Sequence, residues 1–217
     1  MTADLDAIMG NEMVVYQALA FDFDGVIIDS EAYKIETFKS LFTDFPEHLE
    51  AIDMYNRRER GINRRIKFEH IYKNILQLPY SNETLEALAE SYGAKLKQNA
   101  LQLPLISSIK EFLQKNELPA FVASSSEKAE LELILKHHDM LQYFTDIYAY
   151  PHSKVTALQA IASRLKLDPN QILFFGDAIA DYEAAQVTGA QFIARSDDVT
   201  LFPADIRRIS NFSGLSL

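Results

Sequence analysis

Apolar and polar positions along the 217 residues fall into two regimes that alternate along the chain. The first apolar run, "VVYQALAFD" (14–22), is short, rich in Val, Leu and aromatic residues, and followed by Gly25, which predicts a buried strand. From Ser30 to about Leu103 the period lengthens to that of helices, expected at 31–44, 48–59, 64–77 and 82–101, with no convincing strand among them. Pro46, Gly61, Pro79 and Gly93 punctuate this stretch. Within "NRRIKFEHIYKNILQL", Ile66, Ile71, Ile75 and Leu78, with Phe68 and Tyr72 beside them, form the expected apolar stripe.

Pro104 ends that regime, and strands alternate with helices from there on. Strands are expected at 118–124, 144–150, 171–177 and 191–194, with a last one in "RRISNF". Helices are expected at 126–139, 153–165 and 180–188, the last ended by Gly189. In the first of these, Leu131, Ile134, Leu135 and His138 share a face; Ser124 and Glu127 have capping-box spacing at its start, with Ser126 as an alternative cap. Alternation of this kind predicts an α/β fold: a Rossmann-like parallel sheet with helices on both faces. The catalytic core is then 14–29 plus 104–217, with the all-helical block 30–103 inserted between them. Residues 1–13 carry no clear pattern and read as a loose end, in which Met13 offers an alternative start.

Composition narrows the function classes. The chain is 48% hydrophobic and 24% charged, ordinary for a globular protein, with no apolar run of membrane-spanning length. An acidic N-terminus does not resemble a signal peptide, so a cytoplasmic location is expected. The absence of cysteine excludes disulfides and thiolate metal sites. A formal charge of -10 argues against a nucleic-acid partner, yet leaves room for a small anionic substrate held by local cations. The five histidines lack His-Glu-x-x-His spacing, and neither a P-loop nor a dinucleotide fingerprint occurs. No oligomeric state follows from any of this.

Ligands of parallel sheets bind beyond the carboxyl ends of the strands. Those ends carry Asp22 and Asp24; then Ser124, Ser125 and Ser126; then His152, Ser153 and Lys154; then Gly176, Asp177 and, one turn on, Asp181. Each has a bland reading alone. Asp-x-Asp suits a turn, a serine run suits a helix cap, and acids suit a helix start. Their convergence on one sheet edge favours chemistry.

"DFDGVIIDS", "VASSS", "SK" and "FFGDAIADYEAA" resemble, in order and spacing, the four motifs of the haloacid dehalogenase-like hydrolases over nearly the whole chain. The insertion resembles the helical cap of the branch containing β-phosphoglucomutase and phosphoglycolate phosphatase. "G-x-x-R-x-x-K-F" (61–68) and "P-x-S-K" (151–154) are similar to runs in phosphatase-like members associated with sugar and surface-polysaccharide metabolism. The resemblance implies Mg²⁺-dependent hydrolysis of a small phosphomonoester through an aspartyl-phosphate. Asp22 is then the nucleophile, since a carboxylate attacking phosphorus divides one hard hydrolysis into two steps. Asp24, two residues on and on the same face of an extended segment, is the acid and base.

Mg²⁺ would be held by Asp22, the backbone carbonyl of Asp24, and Asp177, with Asp181 behind it as support or an occasional ligand. Ser124 would donate its hydroxyl to the phosphoryl group, beside the Ser125 N–H; Gly25 would let the chain turn beneath the substrate; Lys154 would neutralise transition-state charge. Where the family usually has Gly-Lys-Pro, this chain has "HSKVT", keeping the charge without the glycine or proline. Asp29 is expected to have a structural hydrogen-bonding role beside Ser30.

In the insertion, Arg64 corresponds to an arginine that contacts the distal substrate phosphate in the mutases. Arg57, Arg58, Arg60, Arg65 and Lys67 crowd around it, as an anion-binding cluster or as a solvated helix face. The mutases carry a histidine where this chain has Lys34, which favours phosphatase over the alternative of a sugar phosphomutase. A phosphoaccepting regulatory domain is a more distant alternative, because such domains have no helical insertion of this length.

Overall fold

The computed structural model of the protein describes residues 15–215, so the expectations for 1–13 and for the start of the first strand at position 14 lie outside it. Six parallel strands form one sheet: β1 (Ala18–Phe21), β2 (Ala120–Glu127), β3 (Asp146–Tyr150), β4 (Ile172–Gly176), β5 (Gln191–Arg195) and β6 (Arg208–Ile209). Their order is β3-β2-β1-β4-β5-β6. The chain steps from β1 to one side, then returns to its other side at β4. That reversal opens a crevice beyond the ends of β1 and β4, the place where open α/β sheets bind ligands.

Central strands are buried on both faces, so they read as continuous apolar runs. Leu19 and Phe21 of β1, with Leu173 and Phe175 of β4, face a core built with α5 (Ile109–Lys115) and α6 (Lys128–His137). Phe21 and Phe175 stack at 4.9 Å. Ala18 and Ala20 face the other way, with Phe121, Ile172 and Phe174, against α7 (Lys154–Leu165) and α8 (Ile179–Thr188). Small side chains there let α7 and α8 lie close to the sheet. The sheet and its flanking helices are therefore those expected, apart from boundaries, a very short β6, and α5, which was not foreseen.

Between β1 and β2 the chain forms α1 (Glu31–Lys39), α2 (Leu49–Arg58), α3 (Arg64–His70), a π-helical turn at Ile71–Leu76, and α4 (Asn82–Asn99). These helices share a separate apolar cluster centred on Phe38, Phe42, Ile52, Phe68, Ile71 and Tyr92. The two connections to the sheet run side by side: the Asp29 N–H donates to the Pro104 carbonyl at 2.9 Å, and Ile28 bridges Leu105.

Two local expectations change. The face of α3 that packs inward carries Arg64, Lys67, Phe68 and Ile71, whereas Ile66 and Leu78 are exposed at 56% and 40%. Of the expected stripe, Phe68 and Ile71 are buried and Tyr72 and Ile75 pack beside them, while Ile66 gives way to two cations that find buried partners. Ser124 and Ser126 do not cap α6: β2 runs through them to Glu127, which occupies the cap position without a side-chain cap bond. Instead the Ser126 hydroxyl donates to Asp24, and the Glu127 carboxylate accepts from Arg65 at 2.6 Å. Among the described residues, no helix is long and apolar enough to cross a membrane.

Candidate active site

β1 ends by delivering Asp22, whose N–H donates to the Phe175 carbonyl at 2.8 Å and so pins it between β1 and β4. Lys154, the first residue of α7, reaches across and donates to Asp22 Oδ2 at 3.0 Å. Its ammonium also pairs with Asp181 of α8. Ser153 caps α7, accepting from the Thr156 N–H at 3.1 Å, and thereby fixes where that lysine starts. Asp177 follows β4 directly. Carboxylate oxygens of Asp22, Asp177 and Asp181 lie within 4.8 Å of one another, all buried.

Asp24 points away from that cluster. It accepts from Ser30 Oγ at 2.6 Å, Ser126 Oγ at 3.0 Å and Lys34 Nζ at 2.5 Å. Asp29, expected to bond structurally beside Ser30, does so through its N–H to the Pro104 carbonyl, while its side chain is exposed and Ser30 is the one that reaches Asp24. Gly25, at φ +74°, turns the chain between them, and a Cβ there would overlap the Asp177 carboxylate. A register shift at the end of β2 turns Ser125 and Ser126 toward the crevice, with Ser124 buried beside them. Ser124 Oγ accepts from the Ser126 N–H at 3.3 Å.

The helical segment closes the other side. Gly61, at φ +75°, lies where a Cβ would press on Lys154 Nζ and Ala178 at 3.1 Å, so only glycine permits this approach. Asn63 caps α3 and donates to the Ser125 carbonyl at 2.9 Å. Arg60 pairs with Asp177 and, at 2.6 Å, with Glu31. Arg64 lines the crevice, but its guanidinium is taken by Glu130 of α6, in two bonds of 2.9 and 2.5 Å. Arg65 is shared between Glu86 and Glu127, and Arg57 and Arg58 form exposed pairs with Asp53 and Glu59. The enclosed space is about 100 Å³, room for a small molecule only.

A family model described as haloacid dehalogenase-like hydrolase matches residues 19–195, a stretch that runs from β1 to β5. The chain belongs to that family. It is 25% identical, over 80% of its length and 93% of the relative's, to the fructose-1-phosphate phosphatase YqaB of Escherichia coli K12. It is also 25% identical to the phosphoglycolate phosphatase of Synechococcus elongatus, covering 82% of each chain. A hydrolase structure from Pseudomonas syringae shares the fold at a TM-score of 0.72 and 19% identity, covering 88% of this chain and 92% of that one.

In this haloacid dehalogenase-like hydrolase, burial and charge set the electrostatics of the crevice. Burial pushes Asp22 up to about 7, against the pull of Lys154 and with Asp181 and Asp24 adding to the rise. Burial likewise pushes Asp177 up to about 7, opposed by Arg60. Asp181 is raised for the same reason, against Lys154. Burial would lower Lys154, but Asp181 and Asp22 outweigh it and hold the amine charged. Asp24 is the exception: burial would raise it, yet Lys34 and the two serine hydroxyls keep it below the usual carboxylate range. Three close, hard carboxylate donors with too little positive charge beside them fit Mg²⁺.

That deficit has a measurable sign. Asp22 and Asp177 bind protons more tightly folded than unfolded, so without metal their contribution to stability is lost as pH rises from about 4 to about 7. Mg²⁺, binding the ionised folded form, is expected to raise Tm more at about pH 8 than at about pH 5. Scanning fluorimetry checks this; an equal shift at both pH values contradicts it.

Lys34, Arg60, Ser126 and Glu130 were not assigned site roles from sequence. Lys34, Arg60 and Ser126 left traces, as a cation where the mutases carry histidine, a member of the arginine cluster and a serine at the sheet edge; Glu130 left none, because its partner Arg64 is 66 positions away.

Proposed function

We propose that this protein is a Mg²⁺-dependent phosphatase of small phosphomonoesters that works through an aspartyl-phosphate on Asp22. The observation that carries the proposal is the position of Asp22: at the end of the central strand, bonded to Lys154, and within 4.8 Å of Asp177 and Asp181. Both curated relatives are named phosphatases, one of a sugar phosphate and one of phosphoglycolate.

In the proposed reaction Asp22 attacks phosphorus, and the ester P–O bond breaks. Lys154 offsets charge on the transferring group, while the Ser125 N–H and the Ser124 hydroxyl donate to its oxygens. Asp24, protonated from solvent as the anionic substrate binds, passes that proton to the leaving oxygen. It then takes one from the water that attacks phosphorus, breaks the aspartyl P–O bond and frees phosphate. Since Asp24 rests as a carboxylate under Lys34, its readiest role is the base of the second step. Bound Mg²⁺, held by Asp22, Asp177 and the Asp24 carbonyl with Asp181 in support, would supply the charge that lets an anionic nucleophile meet an anionic phosphate.

Residues 30–103 serve as a cap over the core of 14–29 and 104–217. Their separate apolar cluster, the paired connections at 29 and 104, and the crevice shared by both parts support this. Arg64, locked on Glu130, serves in this reading to hold the cap closed. The test is release of p-nitrophenol from p-nitrophenyl phosphate. Turnover is expected with Mg²⁺ and none after EDTA; full activity in EDTA, with no metal in the protein, would refute the metal requirement.

A further inference from the structure

Among the described residues, every cation that lines the crevice is neutralised by a carboxylate except one. Lys34 sits on Asp24, Arg60 on Asp177 and Glu31, and Arg64 on Glu130. Lys67, on the inward face of α3, is only 9% exposed. Its ammonium donates to Asn56 Oδ1 at 2.9 Å and to the Asn56 carbonyl at 3.3 Å, both neutral acceptors. Among the described residues, no carboxylate lies within ion-pair reach of it. The Phe38 ring, 5.7 Å away, adds only a weak cation–π contact.

A buried ammonium without a counter-ion is costly, and a methionine of similar length would fill the space more cheaply. Burial, reinforced by the Lys34 ammonium, already pulls Lys67 down to about 8. An ammonium has three N–H donors, while its partners here belong to a single residue. Asn56, which lines the crevice, accepts with its amide oxygen and keeps an amide N–H₂ as a further donor. What the site lacks is an anion, and the crevice is the side from which one can come.

We propose that Lys67, with Asn56, selects the substrate by pairing with a second anionic group on a compact phosphomonoester whose phosphate meets Asp22. The proposal rests on the phosphatase reading above and deepens it. Asp22 and Asp177 belong to the sheet side and Lys67 to the helical side, so the two anions of the ligand lie at opposite ends. The second group is a carboxylate or another phosphate, both of which an ammonium reads as a point charge. A neutral polyol end leaves Lys67 unpaired. Arg64 is excluded from this role because its guanidinium is already spent on Glu130.

The test uses the full-length protein with Mg²⁺ and three probes of matched size: 2-phosphoglycolate, ethane-1,2-diyl bisphosphate and 2-hydroxyethyl phosphate. Wild type is expected to favour at least one of the first two over the third by about 10- to 100-fold in kcat/KM, the range of a charge-assisted hydrogen bond. Whichever is favoured identifies the second anion as carboxylate or phosphate. In Lys67→Met the preference should collapse to about threefold or less, mainly through KM, and Lys67→Arg should restore part of it. Absence of any preference in wild type, or its survival in Lys67→Met, overturns the proposal. If Lys67→Met does not fold, Lys67→Gln, which can still bond Asn56, replaces it.

Equilibrium binding separates this idea from the phosphatase reading. If wild type turns over none of the probes, the phosphatase reading fails only if p-nitrophenyl phosphate is not turned over either, and calorimetry then decides the role of Lys67. Binding of 2-phosphoglycolate or the bisphosphate about tenfold or more weaker in Lys67→Met supports it; equal binding, or none to wild type, overturns it.

Discussion

Asp22→Asn is expected to lower phosphomonoester turnover by at least about 10⁴-fold while leaving the fold intact. Asparagine keeps the shape and the backbone bond to Phe175 but has no anionic oxygen with which to attack phosphorus. The replacement also removes a buried negative charge that the metal-free protein holds poorly, so the variant should melt no lower than wild type without Mg²⁺. Rapid quenching of wild type during turnover should yield a phosphoryl group on Asp22 by mass spectrometry, absent from the variant. Substantial activity in Asp22→Asn, or a phosphorylated residue elsewhere, would remove Asp22 from the nucleophile's role.

Lys154→Met is expected to be the most destabilising single replacement at the site. Lys154 is the ion-pair partner of both Asp22 and Asp181, and all three are buried. Breaking a buried pair from one side costs about 3–5 kcal/mol, because the charge left behind is uncompensated. The loss has a definite pH course. Without the ammonium, the folded-state pKa values of Asp22 and Asp181 rise further above their unfolded values, so the deficit is small near pH 4 and grows as pH rises. Urea denaturation at several pH values measures it, and adding Asp181→Asn should recover part of the loss at neutral pH. A deficit under about 1 kcal/mol, or one that shrinks with rising pH, would contradict the assignment. Turnover should fall as well, since in the proposed reaction the same ammonium offsets charge on the transferring phosphoryl group.

What could be read from the chain differed by element. β1, β2 and β4 are buried on both faces and announce themselves as apolar runs. α5 does not, although Ile109, Phe112 and Leu113 have helical spacing, because seven residues make too short a pattern to stand out beside the strand that follows. Along α3 and the turn after it the expected apolar stripe holds at Phe68 and Ile71 but not at Ile66, because Arg64 and Lys67 share the buried face. Arg64 reads as a substrate contact, and Lys67 as either an anion binder or a solvated residue, until Glu130, 66 positions along, and Asn56, 11 positions back, appear as their partners. The serines at the end of β2 could also be read as helix caps, because the acceptor that draws Ser126 inward, Asp24, is 102 positions away.

The sequence by itself determined the fold class and the set of chemical groups at the sheet edge. Strand and helix periodicity is local, and a parallel sheet forces the residues that follow its strands to one end. It therefore brought Asp22, Asp24, Lys154 and Asp177 to one crevice without any contact being known. Only the tertiary structure decided how the charges in that crevice are paired. Six cations crowd positions 57–67, and their sequence neighbours do not reveal which are neutralised. Ion pairing depends on distances of a few ångströms between segments far apart in the chain, and here it silences Arg64 on Glu130 and leaves Lys67 as a charge without an anion among the described residues.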